Sequence, residues 1–484
     1  MAEKQMQYGK QGFNPYLPSW EYIPDGEPYV FGDRVYIYGS HDRFNGYAYC
    51  LNDYVCWSAS VKNLKEWRYE GVIYRKNQDP RNADGDMCLY APDVVRGFDG
   101  RYYLYYVLDL QPVVSVAVCD TPAGQYEFLG YVHYPDGTLL GERKGDLNQF
   151  DPGVLAEDGK VYLYTGFCPR NAEGVPASQV TVLEPDMLTV SEETRLLIPG
   201  AFVCQGTTFE KQPFFEASSI RKIGDTYYFV YSSTECTPLC YATSKSPVEG
   251  FVYRGVIVTN NDRYINTYKP AEKPMHYGVN NHGGIVEIEG QWYIFYHRHT
   301  NGTNFSRQAC MEPICIMEDG SIPQVEMTSC GPNGGPLLGE GEYPAYIACN
   351  LFCDVEEGYT APPGEWMDCR FPKLTQDGKD GDEIPGHIAN MRDGATAGYK
   401  YFDCKGVQSV SVTVRGGRGE IELLTSWDGE VLGSIPVKKT NEWKEYREDI
   451  SIPDGVQALY FRFRGAGSIS FNGFTLHKEK KSLQ

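Results

Sequence analysis

The chain has 484 residues, well above the roughly 100 to 200 typical of one domain, so we expect two compact units. Its 44 Lys and Arg against 64 Asp and Glu leave a formal net charge of −20, a field that repels phosphate backbones and anionic lipid. Nucleic acids and membrane surfaces are therefore excluded as expected partners, and the charge leaves the oligomeric state open.

The N-terminal residues 1–20 lack the apolar core of a secretion signal, and no stretch has the roughly 18 consecutive apolar residues of a membrane span. We expect a cytoplasmic protein, although a signal removed earlier would be invisible. The 15 cysteines are scattered without zinc-site spacing. They predict buried free thiols in a reducing compartment rather than a disulfide framework.

An internal repeat dominates the first 330 residues. A turn rich in Gly and Asp, followed by alternating Tyr-rich residues, occurs five times at intervals of 59 to 67 residues. Such repeats predict an all-β fold with five propeller blades, each a four-stranded antiparallel sheet. The anchor aromatics of the five copies are Tyr36, Tyr103, Tyr162, Tyr228 and Tyr293.

An ionisable residue precedes each anchor by ten to twelve positions. These residues are Asp25, Asp93, Asp151, Glu216 and His282. The innermost strand of a propeller blade lines the central channel, so one shared phase predicts that all five converge on the axis. Taken singly, each acidic residue could simply cap a turn, but the shared phase favours a functional cluster.

Converging carboxylates suit the hydrolysis of a glycosidic bond. Inversion needs one carboxylic acid to protonate the leaving oxygen and one carboxylate to activate water on the opposite face. A third carboxylate nearby can raise the pKa of the acid and keep it protonated near neutral pH. Glycosyl transfer, with a carboxylate nucleophile at closer spacing, stays open because sequence gives no distance.

The pattern changes after the propeller region, which we assign to residues 1–330. Residues 331–379 are rich in Gly and Pro and predict a linker or wrapping segment. Residues 380–484 hold short, β-branched strands about ten residues apart, which is typical of a β-sandwich of the jelly-roll type.

Five motifs in order resemble glycoside hydrolase family 43 over about residues 12–330: YIPDGEPYVFGDRVYIYGSHD, YAPDVVRGFDGRYYLYY, FDPGVLAEDGKVYLYTG, FFEASSIRKIGDTYYFVYSS and NNHGGIVEIEGQWYIFYH. The resemblance implies a five-bladed β-propeller that inverts configuration. Position by position, Asp25 resembles the general base, Glu216 the general acid, and Asp151 the aspartate that orients the acid and tunes its pKa.

The resemblance also implies substrate contacts around these three residues. Asp93 matches a recurrent position that serves either the scaffold or sugar hydroxyls, and Arg307 resembles an arginine that reaches the sugar. Trp20 and His41 flank the base motif and are candidates for stacking on a sugar face.

His282 matches a histidine that in many members faces calcium or water on the axis, while a hydrogen-bonded core histidine is the alternative. A structural calcium ion is thus implied only by resemblance, and no cofactor is expected for the chemistry itself.

Residues 380–477 resemble carbohydrate-binding module family 6, with Tyr399, Trp443 and Asn472 as candidate sugar-binding residues. The family often continues Asn-x-Asp-x-Phe, whereas this chain reads FNGFTL, so a module that only packs on the propeller is equally open.

We therefore expect an exo-acting hydrolase that releases terminal α-L-arabinofuranosyl units from plant cell-wall oligosaccharides, namely fragments of arabinoxylan or arabinan. A β-D-xylosidase, or an enzyme with both activities, is the first alternative because a modest pocket change exchanges the two sugars. An endo-arabinanase and a sugar-binding propeller without catalysis are the others.

Overall fold

The computed structural model describes residues 11–170, 174–353 and 371–478. Within these ranges the fold is all-β, with 29 strands and four short 3-10 turns at Lys76–Gln78, Pro80–Asn82, Gly331–Asn333 and Ala345–Ile347. No helix in the described part of the chain has the length and apolar character needed to cross a membrane.

The predicted five-bladed propeller is confirmed, and each blade is an antiparallel meander. Blade one is β1 (Glu27–Phe31), β2 (Arg34–Tyr38), β3 (Tyr54–Ser60) and β4 (Asn63–Tyr74). Blade two is β5 (Asp93–Arg96), β6 (Tyr102–Tyr106), β7 (Ser115–Cys119) and β8 (Glu127–Tyr131). Blade three is β9 (Gly153–Glu157), β10 (Lys160–Thr165), β11 (Ala177–Leu183) and β12 (Arg195–Pro199).

Blade four is β13 (Phe214–Ile223), β14 (Thr226–Ser233), β15 (Pro238–Ser244) and β16 (Val252–Thr259). Blade five has three strands, β17 (Ile285–Ile288), β18 (Gln291–His299) and β19 (Arg307–Ile314), where four were expected. Each anchor tyrosine lies on the second strand of its blade, as the repeat predicts.

The N-terminal segment closes the ring against blade five. The Tyr16 amide donates to the Ala309 carbonyl, and the Asn14 side chain bonds both backbone groups of Met311. The same Asn14 amide group also donates to Glu312 at 2.8 Å and to the Thr328 carbonyl at 3.0 Å. Residues from the start of the chain thus take the outer position that blade five lacks.

The second domain is one curled sheet of ten strands, which confirms the expected β-architecture. Its strands are β20 (Leu337–Leu338), β21 (Gly341–Pro344), β22 (Asn350–Phe352), β23 (Lys373–Thr375), β24 (His387–Met391), β25 (Thr396–Cys404), β26 (Val407–Leu424), β27 (Gly433–Val437), β28 (Thr440–Glu448) and β29 (Gly455–Lys478). Register shifts in the long β26–β29 pair let the sheet curl around its own apolar core.

Part of the predicted linker belongs to this sheet. Strands β20 to β23 all lie between residues 331 and 379, and β21 pairs with β29 while β22 pairs with β25. Composition alone did not reveal them because two- to four-residue strands between Gly and Pro carry little periodicity.

A buried ion cluster joins the two domains. Lys400 on β25 has no exposed side-chain surface, and its ammonium group contacts Asp262 at 2.8 Å and Glu326 at 2.9 Å. The Lys400 ammonium also lies 3.7 Å from the ring centre of Tyr268. A charge buried this deeply needs such partners, so the second domain is firmly seated on the propeller.

We expect Asn14→Ala to destabilise the propeller by roughly 2 to 4 kcal/mol, because the substitution leaves two buried backbone groups of Met311 without their side-chain partner and removes one of the hydrogen bonds to Glu312. Denaturant unfolding followed by tyrosine and tryptophan fluorescence measures the change. Asn441→Ala, at an exposed position, is the matched control. Equal denaturant midpoints for the two variants would show that the Asn14 hydrogen bonds contribute nothing to the stability of the propeller.

Candidate active site

Three carboxylates that the repeat places in phase do meet at the axis. Asp25 and Asp151 each lie two residues before the inner strand of their blade, and Glu216 lies within β13. Their exposed fractions are 5, 4 and 7%, so a small part of each residue still reaches solvent. The three carboxylates are therefore nearly buried, and each keeps a small solvent-exposed part.

The backbone is unusual at these positions. Asp25 has φ 59° and Asp151 has φ 45°, both in the left-handed region that Asp tolerates better than most residues. Ala217, which follows Glu216, has φ 70° and donates its amide to Asp151 at 3.1 Å. This bond ties the third-blade carboxylate to the backbone beside Glu216, and such local strain is common at functional sites.

Burial is the main cause of the shifted pKa values here. Burial and then the charge of Asp25 raise the pKa of Glu216 to about 8, although Arg307 opposes the shift. Burial and the charges of Glu216 and Asp25 raise the pKa of Asp151 well above its usual range. Burial also raises the pKa of Asp25, but the adjacent Arg307 counteracts it. Glu216 is thus protonated at neutral pH, and Arg307 holds the pKa of Asp25 below the level that burial alone would set.

His282 lies between the carboxylates. Its Nδ1 is 3.6 Å from Asp151 Oδ2 and 4.0 Å from Asp25 Oδ1, and its Nε2 is 4.0 Å from Glu27 Oε1. Burial lowers the pKa of His282 to about 4, so the imidazole is neutral. A neutral ring here separates the acids without adding charge.

Arg307 contacts both Asp25 and Asp42, an aspartate that sequence reasoning missed. Its Nη1 donates to Asp25 at 2.9 Å, while its Nε and Nη2 form a fork on Asp42 at 2.9 and 3.0 Å. Asp42 directly follows His41 in the chain, and an acidic residue next to a candidate site residue was the available signal. The predicted sugar contact of Arg307 stays a prediction, since its observed partners are carboxylates.

The contacts of Asp93 favour the scaffold role among the two that the resemblance leaves open. Asp93 has no exposed surface, and its carboxylate accepts bonds at 2.7 Å from Tyr29 of blade one and from the Val154 amide of blade three. A carboxylate that is sealed and bonded in this way cannot reach a sugar. The scaffold alternative therefore describes it.

The axis below the site carries its own positive charge. Arg221 donates to Glu27 at 2.8 Å and stacks over Tyr29, with 4.3 Å from its guanidinium carbon to the ring centre. Gly284 lies against the same carboxylate, since a Cβ there would come within 2.5 Å of Glu27 Oε2. The glycine of the NNHGGI motif thus leaves room for this pair.

The axial side chains do not supply a calcium site. Ca²⁺ takes about six to eight oxygen ligands, whereas Glu27 offers one unpaired oxygen facing a histidine nitrogen, and Arg221 already neutralises that carboxylate. Within the described ranges no group of three or more His, Cys, Asp or Glu could hold a metal ion. Calcium stays a prediction from resemblance alone.

The two aromatic candidates beside the base differ in their contacts. His41 bonds the Asp53 carbonyl at 2.8 Å and Glu21 at 3.0 Å, so both ring nitrogens are engaged. Burial opposes its charge, but Glu21 raises the pKa of His41 overall. Trp20 is partly exposed. Stacking of either ring on a sugar stays a prediction.

In the second domain the structure corrects one of three candidates. Tyr399 is fully buried and donates its hydroxyl to the Ala345 carbonyl, so its ring cannot stack on a sugar. Trp443 is partly exposed, with Arg415 lying 4.2 Å over its ring and His387 against its edge. Asn472 is exposed. The last two keep accessible surface, and their role stays a prediction.

Two family models match this chain. The model of glycosyl hydrolases family 43 matches residues 22–322, and that of carbohydrate binding module (family 6) matches residues 374–478. A relative from Thermoclostridium stercorarium, named xylosidase/arabinosidase, is 69% identical over 468 residues, covering 96% of this chain and 99% of that protein.

Solved structures agree in architecture. A family 43 arabinoxylan arabinofuranohydrolase from Bacillus subtilis, in complex with cellotetraose, superposes with a TM-score of 0.51 at 22% identity and covers 96% of this chain and 97% of its own. A β-xylosidase/α-arabinofuranosidase from a compost microbial metagenome, in complex with xylotriose, superposes with a TM-score of 0.50 at 26% identity. The match covers 64% of this chain and 97% of that chain.

We expect Glu216→Gln to stabilise the protein above neutral pH. Because the pKa of Glu216 is raised to about 8 on folding, the wild type loses stability as pH rises from the unfolded pKa near 4.5 to about 8, and the amide does not. The gain at pH 8 is on the order of a few kcal/mol and vanishes near pH 4.5. Denaturant midpoints across this pH range measure it.

Glu210→Gln is the matched control, because Glu210 is exposed and lies before the same inner strand. A pH-independent difference between wild type and Glu216→Gln would show that the carboxyl group titrates normally.

Proposed function

This chain belongs to glycosyl hydrolases family 43, and from that membership and the geometry of its carboxylates we propose that it releases terminal α-L-arabinofuranosyl units with inversion of configuration. It is a glycoside hydrolase. The observation that carries the proposal is the pairing of a protonated Glu216 with a nearly buried Asp25 that Arg307 holds.

Glu216 serves as the general acid. Its pKa of about 8 keeps the carboxyl protonated at neutral pH, so it can give a proton to the glycosidic oxygen as the bond to the anomeric carbon breaks. Asp151 supports this role by its position, because it accepts the Ala217 amide directly beside Glu216. Burial and the charges of Glu216 and Asp25 raise the pKa of Asp151 itself well above its usual range.

Asp25 serves as the general base. The Arg307 guanidinium stabilises its ionised form, and the carboxylate takes a proton from the water that attacks the anomeric carbon on the opposite face. One proton therefore enters at the base as another leaves the acid, and the free sugar has inverted configuration.

A second activity, β-D-xylosidase, is favoured by a specific observation. The relative that shares 69% of its residues over nearly the whole chain bears the name xylosidase/arabinosidase. Terminal arabinofuranose and xylopyranose differ in ring size but present similarly placed hydroxyl groups, so modest differences in a pocket decide which of the two is favoured. We therefore propose that one pocket accepts both sugars, with arabinofuranose as the main substrate.

The substrates we propose are oligosaccharides from the plant cell wall. The matched carbohydrate-binding module and relatives named arabinoxylan arabinofuranohydrolase, from Paenibacillus polymyxa and Bacillus subtilis, support arabinoxylan fragments. A sugar-binding propeller without catalysis fits less well, because hydroxyl groups could be bound without raising the pKa of a buried acid to about 8.

The test is hydrolysis of 4-nitrophenyl α-L-arabinofuranoside and 4-nitrophenyl β-D-xyloside, read as nitrophenolate release. We expect wild type to cleave the arabinoside faster, and Asp25→Asn to lose at least about 100-fold in kcat on both. Glu216→Gln should retain more activity on nitrophenyl glycosides than on arabinoxylan oligosaccharides, because nitrophenol leaves without a proton. Glu210→Gln is the control.

If the wild type releases no nitrophenolate from either glycoside, the proposal is contradicted. The stereochemistry is measured separately by proton NMR during the first minutes of arabinoside cleavage. The β-anomer of free arabinofuranose should appear first, and initial release of the α-anomer would exclude the inverting mechanism.

A further inference from the structure

A loop of the second domain contacts the catalytic side of the propeller. This β23–β24 loop, residues 376–386, lies on the blade-one loop, residues 39–53, which joins β2 to β3. The Asp380 carboxylate accepts the Phe44 amide at 2.7 Å and the Asn52 side-chain amide at 3.2 Å. The Asp380 carboxylate therefore binds the blade-one loop at two positions, Phe44 and Asn52.

A second contact lies beside the first. Gln376 accepts the hydroxyl group of Tyr22 at 2.7 Å, and the Tyr22 ring stacks on Phe44 with 5.6 Å between ring centres. Tyr22 is three residues before Asp25, and its carbonyl accepts the Asp42 amide at 3.0 Å. The loop of the second domain thus touches both sides of the segment that carries the base.

These contacts lead directly to the base. Asn52, which is held by Asp380, donates from its side chain to the Asp42 carbonyl at 3.1 Å. The Asp42 carboxylate carries the fork of Arg307, and Arg307 donates to Asp25. Successive hydrogen bonds therefore connect the second domain to the catalytic base through five residues, both ends included: Asp380, Asn52, Asp42, Arg307 and Asp25.

The other side of Arg307 is held by the same domain. Asn301 lies in the turn that leads into β19, where Arg307 is the first residue. Its amide donates to the Leu374 carbonyl at 2.6 Å, and its side-chain oxygen accepts the Thr375 hydroxyl at 2.8 Å. Both loops that meet at Arg307 are thus braced by residues 374–380.

We propose that Asp380 is a positioning residue for the hydrolytic step: the second domain sets the placement of Arg307 against Asp25 through the blade-one loop. The inference rests on the proposed function for its kinetic consequence, but not for the contact itself. Its physical basis is that the hydrogen bonds of Arg307 depend on their distance and angle, and misplacement by about 1 Å can lower a rate roughly 100-fold.

The test compares Asp380→Ala with Asp380→Asn and with Glu383→Ala in the full chain. Asparagine keeps an oxygen that accepts the Phe44 amide, whereas alanine removes both contacts. Glu383 lies exposed on the same loop, so its substitution changes loop charge without breaking a contact to the propeller.

The kinetic measurement is kcat, KM and the pH profile of kcat/KM on whichever nitrophenyl glycoside the wild type cleaves faster. We expect Asp380→Ala to lower kcat by roughly ten-fold. Its acidic limb should move to higher pH, because a looser Arg307 stabilises ionised Asp25 less. Asp380→Asn should recover most of the rate, and Glu383→Ala should match wild type.

Hydrogen exchange of peptides from residues 39–53 tests the contact independently of activity. Asp380→Ala should speed exchange there, and Glu383→Ala should not. Unchanged exchange in Asp380→Ala, or a lower kcat with an unmoved acidic limb, would overturn the proposal. If the wild type cleaves neither glycoside, the proposed function fails, while hydrogen exchange still decides whether Asp380 holds the loop.

Discussion

Neutralising buried negative charge at the propeller axis is the constraint on which the structure depends. Asp25 and Glu27 lie two residues apart in the chain, yet both are nearly sealed from solvent. Buried charges need close partners, and two arginines from other blades provide them: Arg307 for Asp25 and Arg221 for Glu27. These pairs link blade one to blades five and four, so one set of contacts both closes the ring and shapes the site.

The balance of charge also divides the chemical roles. Each arginine contacts particular carboxylates, and Glu216 has none bonded to it among its observed interactions, so burial raises its pKa to about 8. Asp25 has Arg307 at 2.9 Å, and this guanidinium counteracts the rise that burial causes in its pKa. The proposed acid and the proposed base thus differ in their partners rather than in their side-chain chemistry, and the buried carboxyl groups weaken the fold as pH rises.

The second domain is part of this arrangement rather than an appendage. Lys400 anchors it on Asp262 of the propeller, and Asp380 and Gln376 hold the loop beside the base. Its matched module family binds carbohydrate, but the described contacts of Tyr399 are those of a core residue. Bracing the catalytic loops is a role that the observed hydrogen bonds support directly.

Sequence alone determined the fold class, the five blades and the convergence of Asp25, Asp151, Glu216 and His282, because a period of 59 to 67 residues forces equivalent positions onto one axis. The sequence could not distinguish Asp93, which shares that phase, from the carboxylates that keep some exposed surface, because only packing decides which carboxylate is fully buried. Asp42, Arg221 and Asp380 escaped notice because their partners lie more than 190 residues away along the chain. Tertiary structure decided these contacts and the division between acid and base, because a pKa depends on surroundings that chain order does not record.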